Sequence, residues 1–266
     1  MSPLQSPHTW LITGASQGLG LAIAMSALKV GHKVIAGARN TRKAAEEHPE
    51  LELLGGTIED LEEPEMHAIM ETNFFGPIRV LKGVLPAMRA RGSGTIVLIG
   101  STFGFYPCPS CAMYNTSKAA AEMLHETLMK ELELFKIRTL IIEPGLFRTN
   151  VVTNAPQPVA GFSEPYLGTA IGKSLELVGN ILQDPARYMP GDPSKLGDRV
   201  VEFVDRSGMA KDVAPRDRLL LGRDAVELYK LKLQSLTEDL EASSQMALST
   251  DYDGHTGQGV SVVANF

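Results

Sequence analysis

Cysteine is scarce in this 266-residue chain: Cys108 and Cys111 are the only two. Their number excludes a disulfide framework and suits a reducing compartment. Apolar runs approaching the ~20 residues of a membrane span are missing, so no span is expected. Cationic excess is missing as well. The 25 Lys and Arg residues face 31 Asp and Glu, a formal charge of −6, and no long basic run occurs. Nucleic acid is therefore not an expected partner. The opening residues, MSPLQSPH, have neither a basic n-region nor an apolar h-region. No secretory signal is expected, and the cytoplasm is the expected location. The six histidines show no metal-ligand spacing, so no metal is expected either.

What is present is an alternation of short apolar runs and longer amphipathic stretches, which reads as one α/β domain over residues 1–266. Thr9 to Thr13 is an apolar run that stops at glycine, as a buried strand does. Leu19 to Val30 reads as an apolar helix closed by Gly31, and Lys33 to Ala38 as the next strand. Glu65 to Arg91 reads as mostly helical with a bend at Gly76-Pro77, Thr95 to Ile99 as a strand, and Tyr114 to Phe135 as a long helix. Thr139 to Ile142 is a further strand. The Pro-, Gly- and Asn-rich stretch 150–193, with one helix around Ile171 to Leu182, has the composition of a substrate lid. Then come a helix near Ser194 to Arg206, a strand Arg218 to Leu221, and a last helix from Asp224 with Val226, Tyr229, Leu233, Leu236 and Leu240 on one face. Residues 249–266 are polar and glycine-rich, as a fraying tail is.

Gly14-Ala-Ser-Gln-Gly18-Leu-Gly20 joins the first strand to the first helix. A turn there needs residues tolerant of positive φ, and a diphosphate needs backbone N–H groups within reach. The helix N-terminus behind it adds roughly half a positive charge. A packing-only turn is the bland alternative. After the second strand stands Ala38-Arg39-Asn40 rather than an acidic residue, with Arg42 and Lys43 following. A guanidinium can hold a ribose 2′-phosphate, which favours NADP(H) over NAD; a solvated surface arginine is the alternative.

Tyr114 and Lys118 stand one helical turn apart on one face. A nearby ammonium lowers the pKa of a phenol, which otherwise titrates near ~10. As an isolated pair this means little, but the surroundings add weight. Ser101 ends a strand 13 residues earlier, inside Gly100-Ser-Thr-Phe-Gly104, at the sheet edge where open α/β folds place their sites. Asn73 is a polar residue in a largely apolar helical stretch, and Pro144-Gly-Leu-Phe-Arg-Thr149 follows another strand.

The motifs TGASQGLG, ETNFFGP, GST with YNTSK, and EPGLFRT, spread in order from Thr13 to Thr149, resemble the short-chain dehydrogenase/reductase superfamily in the style of its retinol- and hydroxysteroid-dehydrogenase-like branch. The resemblance implies a Rossmann-type doubly wound parallel sheet and an oxidoreductase that interconverts a carbonyl and an alcohol on a medium-sized hydrophobic molecule. It implies that Tyr114 is the general acid or base, that Lys118 binds the nicotinamide ribose and depresses the Tyr114 pKa, and that Ser101 holds the substrate oxygen. Asn73 would hold a relay water and Thr149 the carboxamide. Gly14, Gly18 and Gly20 would line the diphosphate. Ile12, Ser16, Leu19, Arg39 and Phe147 complete the implied NADP(H) contacts. The helices bearing Asn73 and Tyr114 often form a dimer interface in this superfamily, which is compatible with a homo-oligomer.

The chain also departs from that pattern. Only 54 residues separate Asn40 from Thr95, and helices over Thr41–Glu50 and Glu65–Arg91 use most of them. The family's strand–helix–strand crossover, which takes roughly 30 residues or more, does not fit there, and its Asn-Asn-Ala-Gly motif is absent. Fewer strands than usual are expected, with a central strand unpaired or given a new neighbour. A gene model that skipped a segment, a degenerate protein and a re-ordered sheet compete as explanations, with the intact flanking motifs favouring the first two. A non-catalytic binding or scaffold protein is thus the rival reading, and a non-redox isomerisation on the same site a third. Cys108-Pro-Ser-Cys111 carries little weight as a redox or zinc motif, and the charged stretch Glu59 to Glu65 reads as a solvated face and a helix N-terminus.

Overall fold

A computed structural model describes residues 7–37, 54–150, 157–214, 216–252 and 254. The chain starts with a βαβ unit: β1 (Thr9–Thr13), α1 (Gly18–Lys29) and β2 (Lys33–Gly37), with β1 and β2 parallel and Thr9 opposite Lys33. Residues 38–53, including the expected Thr41–Glu50 helix, lie outside the described residues. Then follow α2 (Glu63–Met70), a π-helical turn (Glu71–Phe75) and α3 (Gly76–Arg91). The expected bend at Gly76-Pro77 is thus a slip in hydrogen-bond register one turn earlier, centred on Asn73.

Next come β3 (Gly94–Ile99), a single turn α4 (Thr102–Phe105), the long helix α5 (Ala112–Glu133) and β4 (Ile137–Pro144). The lid region holds α6 (Ala170–Gln183) and α7 (Pro185–Tyr188). The chain ends with α8 (Pro193–Asp205), β5 (Arg218–Leu221) and α9 (Arg223–Leu248). The order β3-β4-β5 is parallel throughout, as right-handed crossovers through helices require.

Helices cover both faces of this sheet. On one side α1 and α8 pack Ile23, Leu196, Val200 and Phe203 against Leu140 and Ile142 of β4. On the other, Leu81 of α3 and Leu128 and Leu132 of α5 close over Ile96 and Ile137. β4, buried along nearly its whole length, is the centre of the core, and each of its fully buried isoleucines contributes about 1.5–3 kcal/mol.

The parallel strands form two separate sheets. Among the described residues no ladder hydrogen bonds join β1 to β3; the pair β1-β2 and the trio β3-β4-β5 stand apart. What bridges them is side-chain packing: Trp10 and Ile12 of β1 and Leu19 of α1 lie against the same cluster as Val97 and Ile99 of β3. Leu11 and Ile35, on the two strands of the smaller sheet, are 52% and 58% exposed, so their outward face is uncovered. The expected consequence of the short central segment, a strand without its family neighbour, is what the structure displays.

The α9 face is covered only in part: Tyr229 is buried, whereas Val226, Leu233, Leu236 and Leu240 are exposed. No helix among the described residues is long and apolar enough to cross a membrane.

A two-stranded sheet with one bare face is marginal by itself. Amide exchange, followed by mass spectrometry, is therefore expected to be faster in Thr9–Thr13 and Lys33–Gly37 than in Ile137–Pro144. Equal protection of both sheets would show that β1 has a backbone neighbour on its second edge.

Candidate functional site

The glycine corner has the backbone that an anion seat needs. Gly14 and Gly18 have φ of +65° and +56°, values that a side chain would strain. A Cβ on Gly20 would collide with the carbonyl of Gly14, so the turn closes only with glycine there. Ala15 N–H donates to Gly37 O at 3.1 Å and ties the corner to the end of β2. No side chain caps α1 at Gln17, and no acidic residue stands in its first turn. The first N–H groups of α1 thus face the corner with the positive end of the helix dipole behind them. Gly14 and Ser16 are exposed and Gly18 half-buried, and the residues present suit a diphosphate. Ile12 and Leu19 turn their side chains into the core and set the backbone beneath.

A second element closes over this corner. A Cβ placed on Gly18 would lie 3.7 Å from Thr149 Cβ, so the loop after β4 rests directly against the glycine turn. That loop is pinned from behind: Leu146 N–H donates to Asp224 Oδ2 at 2.6 Å, and Gly145 N–H to Leu221 O at 2.8 Å. Phe147 is buried and belongs to the core cluster, so its expected cofactor contact could be made only through its backbone. Arg39 lies outside the described residues.

Tyr114, Lys118, Ser101 and Asn73 come together around the start of α5. Lys118 Nζ donates to Ile99 O at 3.3 Å, which fastens α5 to the end of β3, and lies 5.6 Å from the centre of the Tyr114 ring. Ser101 follows β3 and caps α4, its Oγ accepting from Phe103 N–H at 3.2 Å. That leaves the Ser101 hydroxyl hydrogen directed by whatever acceptor is near. Asn73, carried inward by the π-turn, donates from Nδ2 to Ser117 Oγ at 3.0 Å, and Ser117 Oγ donates to Tyr114 O at 2.8 Å. Asn73 therefore buttresses the turn that carries Tyr114. Cys108 and Cys111 are free thiols in the loop leading into α5.

Several carboxylates that the sequence did not single out hold these loops in place. Asp60 is buried, a correction to the solvated face expected for Glu59 to Glu65. Its Oδ1 accepts from Ser163 N–H and Oγ at 2.7 and 2.6 Å. Glu65, also buried, accepts from Val159 N–H at 2.9 Å, so two acids latch the lid region to the start of α2 and the segment before it. Beneath Ser101, Glu122 accepts the Ser101 N–H at 3.1 Å. Arg218 contacts Glu122, Glu126 and Glu143 together. Their only advance signal was position: Glu122 stands one turn after Lys118, and Glu143 interrupts an apolar strand.

The alignments with known proteins fit this architecture. A family model described as short chain dehydrogenase matches residues 53–159. The oxidoreductase claN of Passalora fulva is 39% identical over 208 residues, 64% of this chain and 94% of that protein. The chain belongs to the short-chain dehydrogenase/reductase family. An uncharacterized oxidoreductase of Schizosaccharomyces pombe is 30% identical over 279 aligned positions, covering 91% of this chain and 90% of that one. That share is about 242 of the 266 residues, so roughly 37 positions of the yeast protein face nothing here, enough for one strand–helix–strand crossover. A solved short-chain dehydrogenase from Streptomyces avermitilis superposes with a TM-score of 0.74 at 30% identity, covering 93% of this chain and all of that one. Two Burkholderia enzymes share the fold, one in complex with NADP (B. cenocepacia; 21% identity, TM-score 0.60, 91% and 97% covered) and one with NAD (B. phymatum; 17%, 0.66, 90% and 97%). This short-chain dehydrogenase is thus an α/β oxidoreductase relative whose described residues form five parallel strands in two sheets.

One guanidinium cannot neutralise three carboxylates. Burial, and then the charges of Glu122 and Glu126, push the Glu143 carboxyl up to about 9. Its folded value stands above the ordinary 4.5, so the folded chain keeps a proton that the unfolded chain releases. The stability this group contributes is complete below pH 4.5 and is lost as pH rises toward 9. The thermal midpoint of the wild type is expected to decline across that window, and Glu143→Gln, which is neutral throughout, to flatten the slope. An unchanged slope in the variant would place the titrating group elsewhere.

Proposed function

We propose that this protein is an NADP(H)-dependent oxidoreductase that interconverts a carbonyl and an alcohol on a medium-sized hydrophobic small molecule. The observation that carries the reading is the meeting of Thr149 with Gly18 on one side and of Lys118 with Ile99 on the other. These contacts bring the anion-seating corner and the Tyr114 turn to the C-terminal edge of the parallel strands, where open α/β folds bind ligands. When bound, the nicotinamide supplies or accepts the hydride.

The chain's own groups do the rest. Tyr114 donates its phenolic proton to the carbonyl oxygen as the hydride arrives, or removes the hydroxyl proton in the reverse direction. Lys118 binds the ribose and supports the phenolate. The Ser101 hydroxyl donates to the substrate oxygen, and Asn73 links the site to the proton supply. Thr149 meets the carboxamide, and Gly14, Ser16, Gly18 and Gly20 hold the diphosphate. Arg39 selects the 2′-phosphate through charge-assisted hydrogen bonds. The lid over 150–193 encloses the substrate, and the cytoplasm is the proposed location.

Tyr114→Phe is expected to abolish NADPH-dependent reduction of para-nitrobenzaldehyde while NADPH binding, read by fluorescence, stays largely intact. Turnover equal to wild type would remove the proposed acid. Arg39→Glu is expected to lower kcat/KM for NADPH roughly ten- to hundredfold relative to NADH, the worth of one or two charge-assisted hydrogen bonds. An unchanged ratio would assign cofactor choice to other residues.

A second reading is favoured by the split sheet: a relative that keeps the motifs but holds cofactor too weakly to turn over, serving as a binding or scaffold protein. An NADPH titration of the wild type that does not saturate at millimolar cofactor would support it against the first.

A further inference from the structure

Glu122 occupies an unusual place for a carboxylate. It is 5% exposed, and it stands on the α5 face that also carries Lys118, one turn earlier. Its Oε1 accepts the Ser101 N–H at 3.1 Å. The same oxygen lies against Gly100 and Gly104, so a Cβ on either glycine would intrude on it. The whole Gly100–Gly104 turn is wrapped around one carboxylate oxygen. The other oxygen, Oε2, accepts from Arg218 Nη1 at 3.3 Å. Arg218 is held in turn by Tyr229, whose hydroxyl accepts from Nη1 at 3.0 Å, and Tyr229 stacks on Phe105 at 4.4 Å between ring centres.

Burial raises the Glu122 carboxyl, while the Ser101 N–H, the Arg218 guanidinium and the Lys118 ammonium act in the opposite sense. Burying a charge without partners is costly, and here the Ser101 N–H belongs to the site and the Arg218 guanidinium to the C-terminal elements behind it. A carboxylate that served only packing could be replaced by an apolar side chain of its volume. The two polar contacts, one on each oxygen, explain why it is not.

We infer that Glu122 is a positioning residue for the reaction: it fixes the backbone at Ser101, and so the direction of the Ser101 hydroxyl, with Arg218 as the counter-ion that keeps it in place. The inference rests on the reading of Ser101 and Tyr114 as the reacting site. It adds that β5 and α9, which carry Arg218 and Tyr229, take part in setting the geometry of the Ser101 turn from outside the reacting groups.

The test compares Glu122→Ala, Glu122→Gln and Gly104→Ala in the full chain, using NADPH and para-nitrobenzaldehyde. Glu122→Ala removes the acceptor, and Gly104→Ala pushes on the same oxygen from the other side. Both are expected to lower kcat roughly ten- to hundredfold, the usual effect of a small misplacement of a reacting group, with KM for NADPH unchanged. Glu122→Gln keeps an acceptor for Ser101 N–H and is expected to recover most of the lost kcat.

Amide exchange across Gly100–Phe105 reads the same positioning without turnover. It should quicken in Glu122→Ala and stay near wild type in Glu122→Gln. Wild-type kcat and wild-type exchange in Glu122→Ala would overturn the inference. Equal losses in the alanine and glutamine variants, with raised KM for NADPH, would overturn it too, by showing general disorder of the site. If Tyr114→Phe turns over normally, the reading of the site fails instead, and the exchange experiment still decides whether Glu122 holds the turn.

Discussion

The distance between the glycine corner and the Tyr114 turn is set by apolar side chains. In a continuous sheet, a ladder of backbone hydrogen bonds would fix β1 relative to β3. Here Trp10, Ile12 and Leu19 do that by packing on the same buried cluster that Val97 and Ile99 pack on, and Thr149 completes the contact by resting on Gly18. Packing is nondirectional, whereas a ladder fixes register. Any cofactor site in this protein therefore depends on how well that small cluster holds two sheets in a fixed relation.

A second constraint runs through the loops. Strand ends present the functional side chains, and the loops beyond them carry backbone N–H groups that no strand satisfies. In this chain acids accept them: Glu122 under Ser101, Asp224 under Leu146, Asp60 and Glu65 under the lid residues Ser163 and Val159. Each joins segments distant in sequence, and three of the four sit on helices outside the motifs. The loops are thus pinned by the scaffold rather than by their own turn chemistry.

How much of this was legible depends on the range of the interaction. Apolar runs ending in glycine disclosed β1, α1, β3 and β4 within one or two residues, because a buried parallel strand flanked by helices leaves a local signature. Helical spacing set Tyr114 and Lys118 on one face, a strand end set Ser101 at the sheet edge, and the family resemblance grouped them. The π-turn at Asn73 left no trace, since a hydrogen-bond slip of one residue barely alters periodicity. The burial of Asp60 was hidden because its partner Ser163 is 103 residues away. Periodicity set Val226, Tyr229, Leu233, Leu236 and Leu240 on one face of α9, yet it reports a face and not whether anything covers it. The shortfall between Asn40 and Thr95 was visible by counting, and among the described residues the parallel strands stand in two sheets.

The account stands on a dinucleotide fitting between two sheets that share no ladder. A crystal structure of the protein grown with NADPH tests that most directly. The diphosphate is expected across Gly14 to Gly20, under Thr149, with the nicotinamide beside Tyr114 and Lys118. A dinucleotide bound away from the glycine corner, or none at saturating NADPH, would contradict it.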